Sequence, residues 1–285
     1  MIWILRVAAS RAATRTGLVC GCDQVCTARR WVLLSFRLLT FNTLFRGRSR
    51  ARIAALARLL DGSSYDVVCL QEVISPLNLA ILRRSTRSYR YVAHGPLMPL
   101  VHGGLVLLSR HPIERRLFHR YAFTGPPRRE RLMRKGVLLV RVRVGDRHMT
   151  IANTHLSANM TDDWTPGNPY ARVEADELGQ LAAFLAHPNV TAPLIVAGDF
   201  NVPRDSPILG DFLATTGLVD VMAGDEETTY RPTPELPFPK PIDQVLATPQ
   251  LSATTELVFK EHVRLADGSA AYLSDHYGIG AAFSL

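Results

Sequence analysis

An α/β fold with strand enough for two sheets is what this sequence predicts, on three observations. From Val32 onward, short β-rich runs alternate with segments of helical periodicity. Apolar residues make up 47% of the 285 and charged residues 20%, ordinary globular usage that excludes intrinsic disorder. No linker is long or polar enough to divide residues 32–285, so they read as a single domain. Nothing repeats at a solenoid period, and no run of about 18 uninterrupted apolar residues offers a transmembrane helix.

Taken in order, Val32–Asn42 (VLLSFRLLTFN) is a strand ending in a polar residue. In Arg48–Leu60, Ile53, Leu56, Ala57 and Leu60 fall at helical spacing, with arginines on the other face. Asp61–Ser64 closes that helix, and Asp66–Leu70 is a buried strand that delivers Gln71 and Glu72 at its end. Gly103–Arg110, Gly136–Val144 and Arg147–His155 read as three further strands. Tyr170–Leu185 is a helix with Val173, Leu178, Leu181 and Leu185 on its inner face. Leu194–Val196 is a strand that runs into GDFN (Gly198–Asn201), and Phe212 and Leu213 lie in a short helix. Ile242–Ala247 and Ile279–Phe283 complete the strands. Tyr230–Pro241, with five prolines, is an irregular connection.

The first 31 residues read as a disordered or non-native extension. They carry Arg6, Arg11 and Arg15 with no acid before Asp23, the pattern of an amphipathic transit peptide; a start codon placed too far upstream would look the same. Ile2–Leu5, ended by Arg6, is too short an apolar stretch for a secretory signal. Cys20, Cys22 and Cys26 have no downstream Cys or His group to complete a zinc site, and Cys69 reads as a small buried hydrophobe. Without a disulfide framework a reducing compartment is favoured. The cytoplasm is therefore expected, with secretion or organelle targeting left open, and the chain is expected to be a monomer.

The net charge of +8 is unevenly spread. Residues 1–147 hold 27 of the 33 Lys and Arg but 7 of the 25 Asp and Glu. A basic half joined to an acidic half suits a site that binds both an anion and a metal cation. Most such charges are solvated surface, however, and an Arg excess by itself identifies no anionic partner.

More informative is where acidic, amide and imidazole groups fall. Asn42, Glu72, His155, Asp199 with Asn201, Asp243, and Asp275 with His276 all stand at the ends of apolar runs. Strand ends are where an α/β scaffold presents ligand-handling groups on rigid supports. Singly, each has a duller reading as a cap or turn residue. Their repetition at one strand end after another argues for a site. Carboxylates with an amide oxygen are hard ligands suited to Mg²⁺ or Mn²⁺. The sequence holds no HExxH or Cys/His cluster, no phosphate-binding glycine loop of the GxxxxGK[ST] kind, and no GxSxG elbow. An oxygen-ligated cation beside two His and an Asp fits hydrolysis of a phosphate ester.

In chain order, LTFN (Leu39–Asn42), LQEV (Leu70–Val73), NTHLSAN (Asn153–Asn159), GDFNVPRDS (Gly198–Ser206), PIDQVL (Pro241–Leu246) and SDHYGI (Ser274–Ile279) resemble the endonuclease/exonuclease/phosphatase superfamily. The resemblance implies a DNase-I-like four-layer α-β-β-α sandwich of two packed mixed sheets. It implies Glu72 as principal metal ligand, assisted by Asn42 and Asp275. Asp199 would deprotonate the attacking water, and Asn201 would hold that water or the phosphate. His155 and His276 would bind the phosphoryl oxygens, with Asp243 fixing the tautomer of His276.

For the ester itself, SAN after NTHL, the Trp164 loop, the Tyr170–Arg172 helix start and Lys135-Gly136 opening a strand resemble neutral sphingomyelinases. Lys135 and Arg134 are weaker candidates for substrate phosphate. Gly125–Gly136, with five basic residues and one acid, could equally track a nucleic-acid backbone or meet anionic lipid. A phospholipid headgroup is therefore the first expectation. A nuclease or an inositol-phosphate phosphatase is the second, and a catalytically silent binding module is a remote third.

Overall fold

The computed structural model describes residues 35–284. The reading of residues 1–31, the three cysteines within them, and the start of the first strand lie outside the described residues. The first half contains β1 (Ser35–Asn42), α1 (Ser49–Asp61), β2 (Val67–Gln71), α2 (Pro76–Ser85), β3 (Tyr91–His94), β4 (Val106–Ser109) and β5 (Ile113–Arg120). There follow β6 (Gly136–Val144), β7 (Arg147–His155), α3 (Pro169–Leu185), β8 (Leu194–Asp199), α4 (Pro207–Thr216) and β9 (Val219–Asp220). Last come β10 (Asp243–Ala247), β11 (Ser252–Val258), β12 (Val263–Arg264), β13 (Ala270–Ala271) and β14 (Gly278–Ser284).

Two six-stranded sheets result, ordered β11-β14-β1-β2-β4-β3 and β5-β6-β7-β8-β10-β9. Strand periodicity makes each inner strand feed two cores. Phe36, Leu38, Val67 and Cys69 face Ile151, Ile195 and Ala197 between the sheets. The alternate residues Leu39, Phe41, Val68 and Leu70 pack on Ile53 and Leu56 of α1 and Leu79 of α2. On the other side, Ala152, Val196 and Leu246 meet Leu178 and Leu181 of α3 and Phe212 of α4. The layers are therefore α-β-β-α, as in DNase-I-like proteins. Cys69 is the small buried hydrophobe the sequence suggested.

Each sheet contains one parallel pair, and those pairs position the site. β1 and β2 are joined through α1, β7 and β8 through α3, and both crossovers return the chain in the same direction. Asn42 thus ends beside Gln71, and His155 beside Asp199. β10 runs antiparallel to β8 and sets Asp243 opposite Asp199. Across the interior, Gln71 Nε2 donates to Asn153 Oδ1 at 2.8 Å, and Asn153 Nδ2 donates to the carbonyls of Leu70 and Val106. This polar tie joins the sheets directly beneath the strand ends.

The structure adds elements that the sequence reading lacks. β3, β5 and β11 are all edge strands. IERRLFHR and SATTELV are largely exposed or half-buried, so neither shows the apolar run that marks a central strand. α2 is announced only by Ser75, whose hydroxyl caps it, and Pro76 at its first turn. Gly103 and Gly104, read as strand, form a tight 3₁₀ turn before β4.

Candidate active site

Asp199, the last residue of β8, is 1% exposed and lies at the meeting point. Its Oδ2 accepts from Asn42 Nδ2 at 2.8 Å and faces His155 Nε2 at 3.4 Å and His276 Nε2 at 3.8 Å. The other oxygen, Oδ1, accepts from the Asn201 backbone N–H at 3.0 Å. Asn201 adopts the left-handed backbone that asparagine tolerates, and its Nδ2 donates to the Leu156 carbonyl at 2.9 Å. Three nitrogens from three strand ends therefore converge on a single carboxylate oxygen.

His276 is anchored from behind. Its Nδ1 donates to Asp243 Oδ2 at 2.8 Å, which leaves Nε2 facing Asp199. Burial alone would lower the imidazolium, but the carboxylates of Asp243 and Asp199 outweigh it and push His276 up to about 10. Burial also acts first on Asp199, raising it; the charge of His276, the hydrogen bond from His155 and the charge of Lys135 reverse this and hold the carboxyl far below its ordinary range. Asp243 is pushed up, by burial and then by Asp199, against the pull of His276.

Glu72 leaves β2 through a positive φ of 62°, a strained conformation for a glutamate. Gly104 allows the turn: a Cβ there would come within 2.8 Å of the Glu72 Cα, while the Gly104 carbonyl accepts from Val73 N. Glu72 Oε2 accepts from the Phe45 backbone N–H at 2.8 Å. Among the described residues no basic side chain pairs with this carboxylate. Asp275 Oδ2 accepts from the Tyr230 hydroxyl at 3.1 Å, and the Tyr230 ring meets His276 edge-on at 4.9 Å. Burial raises the Tyr230 phenol first, and Asp275, Asp199 and Glu72 all raise it further, so these carboxylates share one neighbourhood.

Glu72 and Asp275 supply hard carboxylate oxygens. Asn42 Oδ1 accepts one hydrogen bond, from Leu44 N, and keeps a second lone pair, while its Nδ2 bond to Asp199 fixes which way the amide faces. This donor set fits Mg²⁺ or Mn²⁺. Asp199, Asp243 and His276 also present atoms within 4.8 Å of one another. Because the His276–Asp243 contact is already a hydrogen bond, that trio acts better as a proton-holding chain than as a cation cage.

Several participants escaped the sequence reading. The Thr229 hydroxyl, fully buried, accepts from the backbone N–H groups of Ile242 and Asp243 and thereby seats Asp243. Tyr230 follows it. Neither residue ends an apolar run, so neither carried a signal. Trp164 Nε1 donates to the Asn201 carbonyl, giving the noted Trp loop a specific task. Lys135 lies buried; its Nζ donates to the Leu156 carbonyl at 2.6 Å and ion-pairs with Glu130 at 2.5 Å. Arg134 donates to His102 Nε2 at 2.9 Å. In the free protein both cations thus have protein partners.

The Endonuclease/Exonuclease/phosphatase family matches residues 39–276. The chain belongs to that family. A Drosophila melanogaster protein provisionally named a neutral sphingomyelinase is 27% identical over 206 residues, 70% of this chain and 46% of that protein. The chain thus spans about half the length of the curated relative it matches. Sphingomyelinase C from Streptomyces griseocarneus shares the fold, with TM-score 0.69 and 21% identity over 87% of this chain and 99% of that one. So does a Staphylococcus aureus beta toxin variant with bound magnesium ions, at 0.68 and 18% over 88% and 100%. TDP2 from Caenorhabditis elegans has it too, at 0.66 and 17% over 88% and 75%. Family members are phosphoesterases, and this site has the groups for such chemistry. Among the described residues no helix is long and apolar enough to cross a membrane.

Proposed function

We propose that the protein is a Mg²⁺-dependent phosphodiesterase of the sphingomyelinase or phospholipase C type, releasing a phosphorylated headgroup by attack of water. The observation that carries the reading is the convergence of Asn42, His155 and His276 on Asp199 Oδ2, in the neighbourhood of Glu72, which has no basic partner among the described residues. Glu72, Asn42 and Asp275 would hold the cation, which when bound supplies charge neutralisation at the phosphoryl oxygens. Asp199 orients the attacking water and accepts its proton, its carboxylate fixed by Asn42 and Asn201. His276, kept protonated by Asp243, and His155 face the charge that grows on the phosphoryl group. Lys135 holds the Leu156 carbonyl and so the chain between His155 and Asn201.

A lipid ester is favoured over other phosphodiesters by the Drosophila relative and by the SAN and Lys-Gly segments. A second reading, a nuclease, draws on Arg129 and Arg131, exposed and without a carboxylate partner among the described residues. The deciding experiment is a panel of bis-p-nitrophenyl phosphate, sphingomyelin, plasmid DNA, abasic duplex and inositol phosphates, each with Mg²⁺ or with chelator. Sphingomyelin cleavage without DNA nicking, abolished by chelator, is expected. DNA nicking without lipid cleavage would replace the first reading by the second.

A further inference from the structure

Two arginines near the candidate cation donors direct their guanidinium groups at backbone carbonyls. Arg52, in the first turn of α1, donates from Nη2 to the carbonyls of Leu44 at 2.5 Å and Arg46 at 2.6 Å. The same bend supplies the amides that hold two candidate ligands: Leu44 N–H donates to Asn42 Oδ1, and Phe45 N–H to Glu72 Oε2. Leu44 takes a positive φ of 54°, unfavourable for a leucine, so the bend needs support from outside. Arg231 does the same for Asp275. Its Nε donates to the Ser274 carbonyl at 2.8 Å, Nη1 to that of Lys260 at 2.8 Å and Nη2 to that of Phe259 at 2.5 Å. Its backbone N–H donates to the Asp275 carbonyl at 2.7 Å. The guanidinium also stacks on two rings, 3.7 Å from the centre of Tyr272 and 4.6 Å from that of Tyr277. One planar fork thus fixes the chain beyond β11, the proline-rich connection and the loop into β14.

Among the described residues every side-chain hydrogen bond of this pair goes to a carbonyl oxygen. Burial acts first on both guanidinium groups and lowers them. Asp275 and Glu72 raise Arg52, while Tyr277, Tyr272, Glu261 and Asp275 raise Arg231, so both charges bear on the acids without touching them. An arginine paired directly with Glu72 or Asp275 would cover the oxygens that a cation needs. Anchored on carbonyls, it steadies the loop and leaves those oxygens open. We propose that Arg52 and Arg231 are positioning residues for the divalent-cation site. Arg52 holds the backbone that orients Asn42 and Glu72, and Arg231 the backbone that carries Asp275. The inference rests on the cation-dependent function proposed above and names the residues outside the donor set that fix its cation affinity.

The test is isothermal titration of Mn²⁺ into the full chain after chelator treatment, with no substrate present. Arg52→Lys and Arg231→Lys keep the charge, and with it any repulsion of the cation, but an ammonium cannot reproduce the planar fork. Each should weaken Mn²⁺ binding by about tenfold, the low end of the range for lost support behind metal ligands. Arg58→Lys, an exposed arginine on the same helix as Arg52, should bind like the parent. In an Asp275→Asn background, itself weaker, Arg231→Lys should add little, because the ligand that it positions is gone. A general loosening of the fold would instead cost the same in both backgrounds. With bis-p-nitrophenyl phosphate, both lysine variants should need about tenfold more Mg²⁺ for half-activation and reach the parent's rate at saturation. Parent-like Mn²⁺ affinity in either variant overturns the role of that arginine; Tyr272→Leu, which removes one ring of the stack, takes the place of Arg231→Lys if the latter does not fold. An undiminished further loss in the Asp275→Asn background, or no Mn²⁺ binding by the parent, would also overturn the assignment. Hydrolysis of the soluble diester with parent-like cation affinity in the variants rejects the positioning and keeps the phosphodiesterase. Weakened Mn²⁺ binding in the variants, with no phosphodiester turned over by the parent, does the reverse.

Discussion

In the proposed reaction Asp199 would carry two demands at once: to stay anionic inside the protein, and to keep an oxygen available to a reacting water. Asn42 and the Asn201 amide answer the first, since hydrogen bonds to a buried carboxylate replace the water it has lost. Replacing Asp199 by Asn keeps the shape and removes both charge and basicity. Turnover of bis-p-nitrophenyl phosphate should fall at least ~10²-fold with the circular dichroism spectrum unchanged. Thr229 works one step behind. Thr229→Val is nearly isosteric but strips the acceptor from the N–H groups of Ile242 and Asp243. Urea denaturation should show a loss of about 1–3 kcal/mol, the range for orphaned buried donors. Activity should fall with it, because Asp243 would no longer be held against His276.

At the scale of elements, α3 contains an unexpected acid. Glu174 is fully buried, and its Oε1 finds no partner. Burial pushes its carboxyl up to about 9; Glu177 on the same helix adds to this, while Asn159, Lys135 and Arg128 oppose it. The sign of the pH effect follows. Between the ordinary glutamate range near 4.5 and about 9, the folded state binds the proton that the unfolded chain releases, so stability falls as pH rises through that window. Glu174→Gln mimics the neutral acid. It should melt higher than the parent at pH 8 and near the parent's temperature at pH 4, flattening the profile in a thermal scan. A parent with no greater loss of melting temperature than the variant over that window would contradict the assignment. The same helix holds the site in shape through Glu177, which accepts from both the backbone N–H and the hydroxyl of Ser157, two residues beyond His155.

Across the whole molecule, the site exists only where two sheets meet. β1 and β2 supply Asn42 and Glu72 from one sheet, β7, β8 and β10 supply His155, Asp199 and Asp243 from the other, and Gln71–Asn153 ties them together. Gln71→Leu and Asn153→Leu should each destabilise by about 1–3 kcal/mol, since each leaves a buried polar partner unmet. The double variant should cost clearly less than the sum of the two, as expected when both mutations remove one shared interaction. Additive losses in a double-mutant cycle would show that the two amides act independently.

The central strands, α1 and α3 were legible because each buries a continuous or periodic apolar pattern, as in Val67–Leu70 or Leu178–Leu181. β3, β5 and β11 were not, because an edge strand needs no such pattern, and neither was α2, which buries only Asn78, Leu79 and Leu82. Of the site, the sequence by itself determined which side chains stand at strand ends, a property set within a few residues by alternation and its interruption. Only the tertiary structure decided that three of those groups share one oxygen of Asp199, that Lys135 turns inward to Glu130 and Leu156, and that Thr229 and Tyr230 back the two acids. These depend on register and on how two sheets stack across long stretches of chain, and no local pattern of residues encodes such distances.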